Sequence, residues 1–490
     1  MSDMQPGGRQ RFVGLFRNWT SLAGVVMILG SFFAFVLLFI IDLLAHSSNP
    51  YVGILTYLVA PAFTGLGVAI IVAGIVWRRF RHGPSAERLP AIQIDLGRAR
   101  DRRMLAFFLG ASAVFMVATA VLSYQTYHFT ESVVFCGQAC HVVMEPERVT
   151  YMRGSHARVA CVECHIGPGA DWYVKSKLSG MYQVYATAMD KFPRPIPTPI
   201  ENLRPAKDTC EQCHWPARFV GNLDRTYEYF LADETNTPYT VRMTMHVGGS
   251  DPAHGPVTGI HWHVNPGNRV EYIATDETRQ VIPWVRMTGP DGKVTEFRSP
   301  DFTDDIGDYE IRTMDCMDCH NRPAHRYEAP SDAVNSAIAL GRIDRALPNV
   351  KAKAIEVLTA EYASVAEAME KIGAGLAEAY PNDPRGSGAT EALRTIYRNN
   401  FFPEMKATWK VYPDNIGHRD WPGCFRCHDG KHVAADGKTT IKANDCNACH
   451  TILTQGSGDA LKMLTPEGQE FKHPGGDYEG LCNDCHDGTM

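Results

Sequence analysis

The chain has 490 residues and a formal net charge of -6. That length leaves room for several domains, and the charge gives no reason to expect a nucleic-acid partner. Its 14 cysteines are too many to be incidental, and their spacing, taken up below, decides the reading.

The first third of the chain is the apolar part. Residues 20–44 run almost without interruption, broken by Asp42 near the end of the stretch. Residues 51–77 and 104–127 form two more such runs. Each is long enough to cross a bilayer as a helix. A buried soluble helix rarely stays apolar on every face for this length. A cleaved leader would account for the first run alone, and no small-residue cleavage site precedes the second. Pro61 falls inside the second run, where it is expected to kink the helix. Arg9, Arg11 and Arg17 precede the first run. Arg78, Arg79, Arg81, Arg88, Arg98, Arg100, Arg102 and Arg103 lie between the second and third, and residues 45–50 hold no Arg or Lys. The positive-inside bias then puts the N-terminus and the Arg-rich loop in the cytoplasm, so everything after residue 128 emerges on the outer face.

The cysteines begin there. Cys136-x-x-x-Cys140-His141 is followed by Cys161-x-x-Cys164-His165 and Cys210-x-x-Cys213-His214. The unit returns at Cys316, Cys319 and His320, at Cys424, Cys427 and His428, at Cys446, Cys449 and His450, and at Cys482, Cys485 and His486. C-x-x-C-H is the attachment pattern of a c-type haem, in which two thiols bond the haem vinyl groups and the adjacent His ligates the iron. A disulfide framework has no use for a His after each second cysteine. Zinc needs a second pair of ligands per metal and no fixed Cys-His dipeptide. The pattern therefore predicts seven c-type haems, the first on a motif one residue longer than the rest. Haem of this kind is attached outside the bacterial cytoplasmic membrane, which agrees with the charge bias and predicts an inner-membrane protein with a periplasmic haem domain.

Between the second and third motifs, residues 171–190 predict a helix with Asp171 as N-cap after Pro168-Gly169. Val174, Leu178, Met181, Tyr185 and Met189 form its apolar stripe. Trp172, Tyr173, Tyr182, Lys175 and Lys177 suit a helix lying on a membrane surface, although a helix facing a core would show the same stripe. Pro193, Pro195, Pro197, Pro199 and Pro205 mark a linker. Residues 226–312 lack cysteine and predict strands at 270–275, 280–287 and 293–298, with Gly289-Pro290-Asp291-Gly292 as a turn. Residues 331–400 are Ala-rich and helical, broken at Pro348 and at 381–384, and read as a packing layer. The expected architecture is mainly α: three transmembrane helices, then a loop-rich multihaem cytochrome c domain with a small β insertion. The expected domains are 1–128, 129–225, 226–312, 313–411 and 412–490.

Of the 19 histidines, seven lie in motifs. His82 is expected in the cytoplasm, and His46 and His128 at outer span ends. Irons with two His ligands are saturated and low-spin, which suits electron transfer. The expected second ligands are His156, His325, His418, His432 and His473, with one or more of His246, His261 and His263. His254 reads as a surface residue.

The stretches "FCGQACHVVMEP", "SHARVACVECHIGPGADWYVKSKLSGMYQVY" and "CEQCHWP" resemble the NapC/NirT family of membrane-anchored multihaem quinol dehydrogenases, NrfH-type proteins included, over about 100 residues. That family usually has one anchor helix and four or five haems. Three spans and seven motifs, with "CMDCHNRPAH" and "GCFRCHDGKH", look more like a seven-haem branch, the ImcH-type inner-membrane cytochromes of metal-respiring bacteria. The resemblance implies oxidation of menaquinol or another quinol at the first haem. It also implies electron transfer to periplasmic c-type cytochromes or a reductase. Met144 stands near the family's axial Met, one residue further on. Lys177 matches a family Lys near the quinol site, with Lys175 close by. His156 matches a family ligand position. Gln183 stands where the family often has a carboxylate. Quinol oxidation also needs proton acceptors, for which Lys177, Glu145, Asp42, His46 and His128 are candidates. The same chain of haems run backwards would reduce quinone. A terminal reductase would need an open iron, and a haem sensor would need an output domain.

Overall fold

The computed structural model describes residues 19–45, 60–82, 95–139, 141–167, 170–200, 203–248, 258–443, 445–476, 478 and 480–490. They divide into two compact units, Met1–Cys136 with Cys161–Tyr182, and Gly137–Ala160 with Gln183–Met490.

The first unit is built on three long helices: α1 (Trp19–Ala45), α2 (Ala60–His82) and α3 (Ala99–Thr130). Segments Trp19–Val36 and Ala60–Arg81 are long and apolar enough to cross a bilayer. Helices α1 and α2 approach closely because both carry glycine at the crossing. A Cβ on Gly24 would lie 2.6 Å from the Gly67 carbonyl oxygen, and one on Gly67 would lie 2.9 Å from that of Gly24. Such small-residue crossings let two backbones approach closely and are a common way of pairing apolar helices. The Ser21 hydroxyl adds a bond to the Ile71 carbonyl (3.4 Å), and Trp19 packs on Phe108 of α3 with ring centroids 5.4 Å apart.

Two expectations change here. Pro61 is the second residue of α2 rather than a mid-helix kink; its missing N–H costs nothing in the first turn, where that donor has no helical partner. Arg78, Arg79 and Arg81 belong to the last turns of α2 rather than to a loop. Long Arg side chains let a helix run past its apolar part by reaching towards water. Residues 46–59 and 83–94, with His46, lie outside the described residues.

The second unit begins with α4 (His141–Arg153). Helix α5, whose residues up to Tyr182 belong to the first unit, spans Ala170–Ala188, so Asp171, expected as its N-cap, sits inside its first turn. Helices α6 (Pro330–Ala339), α7 (Val350–Thr359), α8 (Val365–Ala379) and α9 (Arg385–Asn400) enclose the main core. Val334, Ile343, Leu347, Leu358, Ile372 and Leu393 are fully buried there. Helix α8 starts at Ser364, which caps it by accepting from the Glu367 N–H (3.2 Å), while Glu367 accepts from the N–H of Ala363, the residue before the cap (2.9 Å).

The strands are β1 (Leu223–Phe230), β2 (Pro238–Met245), β3 (Arg269–Ile273), β4 (Trp284–Thr288), β5 (Val294–Arg298), β6 (Arg312–Thr313), β7 (Val433–Ala434) and β8 (His450–Gly456). They form two sheets, ordered β1-β2-β8 and β6-β3-β4-β5-β7. The turn at Gly289–Gly292 forms as its sequence predicts, with the Gly292 N–H on the Gly289 carbonyl (2.9 Å). The β insertion is not self-contained, however. Strands β7 and β8 come from the last motif-bearing stretch and pair with β5 and β2. An edge strand exposes unpaired backbone groups, and β8, which starts at the His of a motif, covers the β2 edge.

Asn236, buried in the β1–β2 turn with φ 48°, ties that hairpin to the helices. Its side chain donates to the Arg345 and Leu347 carbonyls (2.9 and 2.8 Å) and accepts from the Lys351 N–H (3.0 Å). The Lys351 ammonium donates to Asn335 Oδ1 (2.9 Å), and burial brings its pKa down to about 8. That value lies below the ordinary 10.5, so the unfolded chain binds more protons between the two and stability rises with pH across that window. Lys351→Met should therefore raise the denaturation midpoint at pH 7, with the gain shrinking as pH climbs from about 8 to about 10.5. An equal gain at both ends of the window would show that the charge is not what costs stability.

Candidate haem-attachment sites

Each motif sits on one short helical turn. The turns are Cys161–His165, Cys210–Gln212, Cys316–Cys319, Gly423–Arg426, Cys446–Ala448 and Cys482–Asp484. Positions three and four apart share a helix face, so two thiols and the following imidazole are presented to one side. The turn is closed by the His N–H on the first Cys carbonyl at His214 (2.8 Å), His320 (2.8 Å), His428 (3.0 Å) and His486 (2.9 Å). The longer first motif is different. Its Cys136 lies in a π-helical turn, Phe135–Ala139, the form in which a helix absorbs one extra residue.

Every described cysteine is a free thiol, and among the described residues no three His, Cys, Asp or Glu side chains converge as a zinc site requires. Burial pushes the thiols of Cys319 and Cys427 up to about 12 and that of Cys449 up to about 11.

Five of the motif histidines face second imidazoles, 13 to 165 residues away in sequence. Ring centroids lie 6.0 Å apart for His156 and His214 and 6.3 Å for His261 and His320. The separation is 5.9 Å for His263 and His428, 6.2 Å for His418 and His450, and 6.0 Å for His473 and His486. A metal between two imidazoles, with bonds of roughly 2 Å to each nitrogen, sets the ring centres about 6 Å apart, so the residues fit the group. Three of the outer imidazoles have Nδ1 against a backbone carbonyl: His156 on Pro323 (3.0 Å), His261 on Val247 (3.0 Å) and His263 on Ile260 (2.8 Å). A second-shell bond of this kind fixes the tautomer that leaves Nε2 for a metal.

The supports are built from the surrounding chain. Tyr151 donates to the Ala157 and Val159 carbonyls (2.9 and 2.8 Å) and so holds the loop bearing His156. His418 lies flat on Phe425 (4.2 Å), next to Gly417, whose carbonyl takes the Cys424 N–H (3.0 Å). Asp315 and Asp318 form a capping box on the fourth motif, and Arg426 of the fifth donates to the Asp318 carbonyl (2.6 Å). The Asp318 carboxylate accepts from the Tyr272 hydroxyl and lies 3.4 Å from Arg279. Neighbouring motifs also meet through their first cysteines. Cys136 hydrogen-bonds Cys161 and brings its thiol down to about 7, and Cys210 lowers that of Cys316 in the same way.

Other expected residues fall elsewhere. His432, expected as a ligand, is 1% exposed, with Nδ1 2.8 Å from Asp429 Oδ1 and Nε2 2.7 Å from the Ile282 carbonyl oxygen. Both nitrogens are committed to protein oxygens, and the ring is a strut between the fifth motif and the sheet. His246 is engaged at both nitrogens too, with Thr451 Oγ1 (2.8 Å) and Asn222 Oδ1 (3.3 Å). His325, by contrast, has Nδ1 on the Glu147 carbonyl (2.9 Å) and near its carboxylate (3.1 Å), the same backbone-carbonyl support that His156, His261 and His263 have. Met144 packs against the main core. Glu145 is exposed, as is Lys175, whose ammonium lies over the Trp172 ring (4.9 Å). His128 is exposed in the last turn of α3. Cys140 and His254 lie outside the described residues, as do the side chains of Asp42, His141 and Lys177.

Attachment turns that end in His and face a second imidazole define a multihaem c-type cytochrome. The sequence is 41% identical to the cytochrome c-type protein ImcH of Geobacter sulfurreducens, over 97% of this chain and 96% of that one. The chain belongs to the ImcH-like multihaem c-type cytochromes and carries covalently bound haem as an electron-transfer oxidoreductase. No family model and no solved structure matches it. His432→Gln should leave the low-spin haem absorbance unchanged while lowering the thermal midpoint. Appearance of a high-spin band in that variant would return His432 to the ligand set.

Proposed function

We propose that this chain is a seven-haem cytochrome of the bacterial inner membrane that oxidises quinol, menaquinol in the simplest case. It passes the electrons to periplasmic c-type cytochromes or a reductase. The observation that carries the reading is the pairing of motif histidines with second imidazoles. An iron held between two imidazoles has no open position for a substrate, which favours relay over terminal reduction. Covalently bound haem supplies one-electron chemistry at each site.

The membrane half of the reading rests on the apolar helices. Three spans are proposed, α3 being the third, with the N-terminus in the cytoplasm and the chain after residue 128 in the periplasm. Quinol loses two protons as it loses two electrons, so its site needs bases. Lys177 and Glu145, with Lys175 nearby, are proposed to take those protons, and a cationic Lys also steadies a developing quinol anion. Met144 is proposed as an axial ligand of the first haem in place of the adjacent His141. In the rest of the chain, the Cys210–Cys316 contact and the bond from Arg426 to Asp318 support a relay that follows motif order from the third to the fifth.

The test is anaerobic absorbance of the full chain in detergent mixed with a reduced menaquinone analogue. Rapid growth of the reduced haem bands is expected, slowed at least tenfold in Lys177→Ala, with pyridine haemochrome giving seven haems per chain. No reduction by the quinol, together with full reduction by dithionite, would overturn the quinol reading and leave the relay.

A further inference from the structure

Two of the outer histidines come from a single short element. The 3-10 helix Ile260–Val264 carries both His261 and His263. His261 stacks parallel to His320 of the fourth motif (interplanar angle 8°), and His263 meets His428 of the fifth edge-on (82°). Residues two apart on a tight turn point in different directions, so one helix reaches two sites. Each Nδ1 is spoken for by a carbonyl, His261 by Val247 and His263 by Ile260. Both rings are therefore set in the tautomer that offers Nε2.

What holds this helix is a crossing of two glycines. Gly248 follows β2 with φ 90° and Gly259 precedes the helix with φ 85°, a backbone region that other residues rarely adopt. A Cβ on Gly259 would lie 2.4 Å from the His246 carbonyl oxygen and 2.9 Å from Gly248 Cα, and one on Gly248 would lie 1.9 Å from the Thr258 carbonyl oxygen. Across that contact the Ile260 N–H bonds the His246 carbonyl (2.9 Å) and the His261 N–H bonds the Val247 carbonyl (3.1 Å). Trp262, between the two histidines, packs into the small core of Val270, Tyr272, Ile282 and Val285. On the opposite side, the fourth and fifth motifs are already tied by Arg426 on the Asp318 carbonyl.

We propose that helix Ile260–Val264 is a shared ligand bracket. His261 Nε2 is the sixth ligand of the haem whose fifth is His320, His263 Nε2 is the sixth ligand of the haem whose fifth is His428, and the Gly248–Gly259 crossing sets both bonds together. The two sites are then one unit, in which no displacement of the helix changes one iron alone. This rests on the reading that all seven motifs carry haem.

The test uses the full-length, haem-loaded protein in detergent. Haem content is counted by pyridine haemochrome, spin state is read by electron paramagnetic resonance, and carbon monoxide uptake is measured after dithionite reduction. Relative to wild type, His261→Ala and His263→Ala should each open one haem to carbon monoxide with haem content unchanged. Added imidazole should return that haem to low spin. Gly259→Val should open two haems. A Gly259→Val protein that loses haem is judged misfolded, and the double variant His261→Ala/His263→Ala, expected to open two haems, then decides. Full haem content with no newly opened haem in either single variant overturns the ligand assignment. Opening of one haem in well-loaded Gly259→Val overturns the bracket. Haem content short of seven in the wild type overturns the seven-haem reading instead.

Discussion

The separation of paired imidazoles, 5.9 to 6.3 Å between ring centres, is the constraint on which the rest of the second unit depends. An iron between two nitrogens tolerates little variation in that distance, so each pair must be held by structure that does not drift. The partners are far apart along the chain, as with His263 and His428 or His156 and His214. Loops alone would spend too much conformational entropy to hold them. The chain instead anchors the imidazoles locally, by a helical turn on the motif side and, for His156, His261, His263 and His418, by a backbone carbonyl or an aromatic face on the other.

Those anchors lead into a buried polar lattice between the fourth and fifth motifs. Asp318 brings a carboxylate into an almost closed environment, a costly placement unless its lone pairs are used. They are met by the Tyr272 hydroxyl, the Asp315 N–H (2.7 Å) and Arg279. Its carbonyl takes Arg426 and Asn415 as well. Burial first, and then the Asp318 charge, pushes the Tyr272 hydroxyl far up from its ordinary value, so it remains a donor to the carboxylate. The helical core of α6 to α9 lies beside this lattice and supplies the apolar burial that small attachment turns cannot.

The first unit is held together differently. Its helices leave large apolar side chains such as Phe33, Phe80 and Phe107 exposed, a pattern that suggests association with a membrane. What pairs α1 with α2 is the reciprocal approach of Gly24 and Gly67, a packing effect rather than a hydrophobic one.

Most of the chemistry was written in local sequence. The Cys-x-x-Cys-His units, the long apolar runs with their Arg bias, and the Gly289–Gly292 turn are short-range patterns whose physics operates within a few residues. Their forms could be read without a fold. The partners of the motif histidines could not, because nothing local distinguishes His263, which faces a motif, from His432, which bonds Asp429 and the Ile282 carbonyl. That difference depends on which oxygen atoms the fold brings to each ring nitrogen. The same holds for β8, whose strand character comes from the open edge of β2, and for Gly259, whose value lies in a backbone crossing with Gly248. Sequence determined the groups that attach haem. Tertiary structure decided which imidazoles meet, since that is a property of distances between segments up to 165 residues apart and not of any one of them.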